Sequence, residues 1–98
     1  MSEDYYNLIT AIPTLSSNEF VRLYPNPVKS MLTINFGLNG YKYVDLKLFD
    51  MTGKLITYKK KLSNGSKINL SGLVAGMSRY QIVGNDRRIL YSDKFMKE

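Results

Sequence analysis

From Phe20 onward the sequence is punctuated by turn chemistry at intervals of about eight to twelve residues, and between these points apolar and polar residues alternate. A period of two belongs to β-strands, whose successive side chains point to opposite faces, and the intervals are too short for helices of ordinary length. The first strand is expected at Phe20–Tyr24, ended by Pro25-Asn26-Pro27, where two residues lack an N–H for any ladder. The second, Met31–Phe36, alternates Leu32, Ile34 and Phe36 inward against Thr33 and Asn35 outward. After the turn Gly37-Leu38-Asn39-Gly40, a third strand over Tyr43–Asp50 sets Val44, Leu46 and Leu48 on one face. Asp45, Lys47 and Phe49 take the other, which is expected to be mostly wet.

Asp50-Met51-Thr52-Gly53 turns the chain into a fourth strand, Lys54–Leu62. Its alternation is imperfect because Leu55 and Ile56 are adjacent, and we expect Ile56 and Tyr58 to face inward. Ser63-Asn64-Gly65-Ser66 is the strongest hairpin signal, since Asn-Gly supplies the positive φ angles of a type I′ turn. A short fifth strand follows at Lys67–Leu70, then a crossover, Ser71–Gly76, that tucks Leu73 under the sheets. Met77–Val83 forms the sixth strand, and Gly84-Asn85-Asp86 leads to a seventh over Arg87–Phe95. The pattern predicts an all-β fold, an immunoglobulin-like antiparallel β-sandwich of about seven strands with Greek-key connections. The five clearest strands alone would also suit a small barrel or an OB-like fold. Residues 1–19 read as a linker or arm, and residues 20–98 as the folded domain.

Composition closes off most chemistry. The chain has no cysteine and no histidine, hence no disulfide, thiolate metal site, cysteine nucleophile or imidazole base. No Gly-x-Ser-x-Gly elbow occurs, and the eight acids are scattered without the alternating carboxylates of a calcium loop. We therefore expect neither an enzyme nor a cofactor or metal. The net charge of +6 raises an anionic partner, yet Lys59-Lys60-Lys61 and Arg87-Arg88 are the only adjacent basic residues. No RNP-type or helix-turn-helix pattern accompanies them, so nucleic acid is not expected, while contact with an anionic glycan fits the charge.

No run of eighteen apolar residues exists to span a bilayer as a helix. Met1-Ser2-Glu3-Asp4 carries acids where a secretory signal carries bases, so the expectation is either a cytoplasmic protein or the tail of a longer exported one.

Several segments in order carry a family likeness. Leu23-Tyr24-Pro25-Asn26-Pro27-Val28 is followed by Leu32-Thr33-Ile34, and then by Val44-Asp45-Leu46-Lys47-Leu48-Phe49-Asp50-Met51-Thr52-Gly53-Lys54. Ile68-Asn69-Leu70-Ser71-Gly72-Leu73-Val74-Ala75-Gly76-Met77 comes next, and Lys94-Phe95-Met96-Lys97 near the end. Over residues 20–98 the chain resembles the type A C-terminal sorting domain of the type IX (Por) secretion system of Bacteroidota. The resemblance implies a sandwich fused to the end of a cargo protein that crosses the inner membrane by a separate N-terminal signal. From the periplasm the outer-membrane translocon carries such cargo to the cell surface or beyond, and a sortase removes the domain and can join the cargo to anionic lipopolysaccharide.

Under that resemblance the secretion machinery recognises Tyr24, Pro25, Asn26, Pro27, Gly53, Gly76, Lys94, Phe95 and Lys97. Read by themselves the glycines are turn devices and the Pro-Asn-Pro segment is a rigid turn. The last strand ends near the C-terminus, so its edge is expected to be exposed, a template for strand addition by a receptor or by a second copy of the chain. In the plainer reading Phe95 packs in the core and the lysines keep the tail soluble. The cleavage region is expected at Thr14, Leu15, Ser16, Ser17, Asn18 and Glu19, small and polar enough to lie extended. An alternative function is an accessory carbohydrate-binding or adhesion module on a cell-surface protein, with Tyr41 and Tyr43 around Lys42 as its stacking platform.

The chain departs from the family pattern at Ser78, where members carry an aromatic residue. If Ser78 faces the core, the missing ring costs about 2 to 5 kcal/mol relative to the aromatic. Either a neighbour refills the space, or this copy is weakened, or a one-residue register shift puts Ser78 outside.

Overall fold

A computed structural model describes residues 15–98. It contains seven strands: β1 (Phe20–Tyr24), β2 (Met31–Gly37), β3 (Val44–Phe49), β4 (Leu55–Leu62), β5 (Lys67–Asn69), β6 (Gly76–Val83) and β7 (Ile89–Lys97). They form a three-stranded sheet in the order β1-β2-β5 and a four-stranded sheet in the order β4-β3-β6-β7, all pairs antiparallel. The fold is the immunoglobulin-like sandwich expected.

The core follows from period two. Leu32, Ile34 and Phe36 of β2 face Val44, Leu46 and Leu48 of β3, with Tyr80 and Ile82 of β6 and Phe95 of β7 completing one cluster. Each such aliphatic side chain contributes about 1.5 to 3 kcal/mol, an upper range because denatured chains already bury some apolar surface. Phe49 lies opposite Leu48 in the alternation but is buried, so the outer face of β3 is less wet there than the pattern predicts.

Two expectations fail, for identifiable reasons. Ile56 and Tyr58 face outward, 39% and 42% exposed, while Leu55 and Thr57 are the half-buried pair. A bulge between Leu48 and Phe49 resets the phase of β4, so Thr57 pairs with Leu48 and shares its core face, and Tyr58 pairs with Lys47 on the outer face. The second concerns Asn64-Gly65. The tight turn exists, with Ser66 N–H donating to the Ser63 carbonyl at 3.1 Å and Gly65 at φ 91°, but it is not a hairpin, because β4 and β5 belong to different sheets. Ile34 captures the far side of the turn: its N–H donates to the Ser66 carbonyl and its carbonyl accepts from Gly65. The Asn64 side-chain oxygen accepts from the Phe36 N–H at 2.8 Å and from Asn35 Nδ2 at 2.9 Å, fixing the crossover to β2.

Boundaries shift slightly at β7. Arg87 has φ 69° and donates its N–H to the Gly84 carbonyl, so it belongs to the turn, and the strand runs from Ile89 through Lys97.

Candidate recognition site

The two prolines of Tyr24-Pro25-Asn26-Pro27 have no N–H to place, so Asn26 and Val28 supply the hydrogen-bonding groups of this segment. Asn26 Oδ1 accepts the Met96 N–H at 3.0 Å. Val28 donates its N–H to the Met96 carbonyl at 2.9 Å and accepts from Glu98 N–H at 2.8 Å, the pattern of a parallel bridge to Lys97. Val28 itself is fully buried. The turn therefore lies along the outer edge of β7 and closes its last residues. This corrects the expectation that the terminal edge is exposed: upstream of Met96 the strand pairs only with β6, but its end is occupied by the chain's own turn.

Across β7 the register sets Gly76 opposite Lys97 and Ser78 opposite Phe95. Gly76 adopts φ 130°, where a Cβ would strain the backbone. Lys97 thus sits between Gly76 and Val28, 7% exposed, its Nζ donating to the Glu98 carbonyl at 2.8 Å. Phe95 is 2% exposed, with its ring 6.2 Å from that of Tyr80. Burial pushes the Tyr80 phenol well above its ordinary range, reinforced by Tyr91 and Asp93. Lys94 remains in solvent beside Arg79 in the register. Tyr24, Pro25, Asn26 and Pro27 are exposed, and the Tyr24 hydroxyl donates to Asn35 Oδ1, linking the turn to the Asn64 crossover.

Gly53 belongs to the β3–β4 turn, on the far side of the sheet from β7. Asp50 organises that turn, its carboxylate accepting from Thr52 N–H, Thr52 Oγ1 and Lys54 N–H at 2.9, 2.5 and 3.0 Å. Those bonds, the Thr52 hydroxyl first, hold the Asp50 carboxyl below its ordinary range. Because Phe49 pairs with Arg79, this turn, Gly76, the end of β7 and the Pro-Asn-Pro turn all gather at one end of the sandwich.

Ser78 faces inward, 4% exposed, so the register-shift explanation is excluded. A cleft of about 590 Å³ opens beside it between β4 and the β5–β6 crossover, lined by Ser78, Thr57, Leu70, Leu73 and Met77 among others. No buried side-chain polar atom among the described residues lacks a partner.

The expected stacking platform does not form. Tyr41 packs against the core and donates its hydroxyl to Asp86 Oδ2 at 2.9 Å, while Tyr43 is exposed beneath the ammoniums of Lys42 and Lys61 at 5.8 and 5.3 Å. Of the expected cleavage region, Thr14 lies outside the described residues. Leu15 packs on the core, and Ser16–Glu19 is a turn and not an extended segment, with Glu19 N–H donating to the Ser16 carbonyl. The Glu19 carboxylate accepts from Ser16 N–H and Asn39 N–H, each at 2.9 Å. Sequence reasoning missed Asn26 and Asn64 as side-chain acceptors; an asparagine flanked by two residues without N–H groups is the signal that marks the first.

The model of the secretion system C-terminal sorting domain matches residues 22–98, a span holding both the Pro-Asn-Pro turn and the β7 tail that it closes. The chain belongs to that family. A comparison with curated protein sequences finds no match. As a type IX C-terminal sorting domain, the chain acts as a secretion signal, is fused to a cargo, interacts with the secretion machinery, and marks its polypeptide for the cell surface or the exterior.

Proposed function

We propose that this sorting domain is a non-catalytic signal read by the outer-membrane translocon chiefly at the composite of the Pro-Asn-Pro turn and the β7 tail, and that a sortase then removes it. The hydrogen-bonded closure of Met96 and Glu98 by Asn26 and Val28 carries the reading, because it fuses two separated motifs into one rigid surface presenting Tyr24, Pro25, Pro27 and Lys94. Gly53 and Gly76 shape the same end of the sandwich, and Phe95 and Lys97 support it from beneath. Sortase cutting falls in or near residues 14–19, the last part of the arm, residues 1–19, that leads from the cargo to the domain.

The test fuses a reporter with an N-terminal secretory signal to this chain and expresses it in a type IX competent strain and a translocon-null sibling. The expected result is surface reporter lacking the domain in the first and retained full-length protein in the second. Identical location and length in both would refute the reading.

A further inference from the structure

With the end of β7 closed, the sandwich keeps another free strand edge at β4, which pairs only with β3. This edge carries Lys59-Lys60-Lys61. Lys60 and Lys47 hold their ammoniums 5.2 and 5.1 Å above the Tyr58 ring, and Lys61 lies over Tyr43. Asp45, the acid nearest this cluster in the β3–β4 register, already accepts from the Tyr58 hydroxyl and the Lys61 N–H. On the inner side of the same strand, Thr57 and Lys59 line the cleft at Ser78, whose other walls include Leu70, Leu73 and Met77.

Consecutive lysines on an edge strand repel ordinary strands and so prevent indiscriminate pairing. The same charge becomes attraction for a strand that bears acids, and specificity arises from the combination. A strand added beside β4 would direct alternate side chains to the two faces: acids toward Lys60 and Lys47 outside, and apolar groups past Lys59 into the cleft inside. A glycan fits less well, since the rings it would stack on carry ammoniums of the chain itself.

We infer that β4 is a docking edge for an acidic, extended segment of a secretion-machinery protein, which adds as a fifth strand and places an apolar side chain in the Ser78 cleft. The inference rests on the sorting reading and names a contact separate from the β7 composite. Its first test uses a labelled peptide of alternating Glu and Val, about ten residues long, titrated into the 98-residue chain at low salt. Binding should shift β4 amide resonances, and a Lys-Val peptide or a Glu-Val peptide N-methylated at alternate residues should bind at least about tenfold more weakly. The charge-reversed variant Lys59→Glu/Lys60→Glu, altered only at exposed positions, should reverse the preference between acidic and basic peptides, and Ser78→Tyr should weaken Glu-Val binding by filling the cleft.

Equal binding of the N-methylated peptide, or unchanged preference in the charge-reversed variant, overturns the inference. Dextran sulfate binding the lysines in place of the peptide without moving β4 backbone resonances overturns it in favour of an anionic glycan. In the export assay, wild-type delivery by Lys59→Glu/Lys60→Glu overturns the inference and leaves the sorting reading intact. Failure of the unaltered fusion to be exported strikes the sorting reading and leaves the peptide measurement to stand or fall separately.

Discussion

A single carboxylate, that of Asp50, holds the β3–β4 turn by accepting three hydrogen bonds from Thr52 and Lys54. Hydrogen bonds to the ionised form are what lower the carboxyl's folded-state pKa. A depressed pKa means that the stabilisation is complete above the unfolded value, near 3.9, and is lost as pH falls through the folded value. Glu19 and Asp86 are lowered for the same kind of reason, Glu19 chiefly by the Ser16 and Asn39 N–H groups and Asp86 chiefly by the Tyr41 hydroxyl. The domain should therefore lose stability below about pH 4 as these three carboxylates are protonated. Asp50→Asn should lower the urea midpoint at pH 7, and the gap to wild type should narrow as pH falls below that range. A gap that stays constant from pH 7 to pH 3 would assign the effect to turn geometry and not to the charge.

Six of the seven strands were legible to within one residue at each end, because apolar positions such as Leu32, Ile34 and Phe36 keep strict alternation and the turns carry glycine, asparagine or proline. What alternation cannot encode is pairing. The bulge at Phe49 reverses the phase of β4, and the sheet to which β5 belongs depends on Ile34 capturing Gly65 and Ser66, a contact across distant residues. The same limit applies to the candidate site: the family likeness nominates its residues, but the bonding of Asn26 and Val28 to Met96 and Glu98 is a tertiary fact. For β7 this bonding has a measurable consequence. Asn26→Ala should cost about 1 kcal/mol by removing the acceptor for the Met96 amide, accelerate hydrogen exchange at Met96 beyond the change at Ile82, and reduce export. Unchanged exchange at Met96 would show that the side-chain bond does not hold the tail.

The antiparallel order of the strands places the entry to the domain and the exit of the chain at opposite ends of the molecule. β1 begins opposite Gly37, beside the turn that carries Asn39, whereas β7 ends opposite Gly76, beside Val28. At the typical rise of about 3.4 Å per residue, a strand the length of β1 separates these ends by roughly 17 Å. A cargo joined through residues 15–19 would thus leave from the side facing away from the turn-tail composite, and a protease could reach that junction while a receptor holds the other end. The two ends should then be energetically separable. Shortening the chain to residues 20–98 removes Leu15 from its place against the core and the Glu19 anchor on Asn39. Relative to residues 15–98, the lost burial of Leu15 should lower stability by about 1 to 2 kcal/mol, while the amide resonances of Met96 and Glu98 stay in place. Resonance changes at Met96 and Glu98 as large as those at Asn39 would mean that the sandwich transmits the loss along its length, and cutting at one end would then loosen recognition at the other.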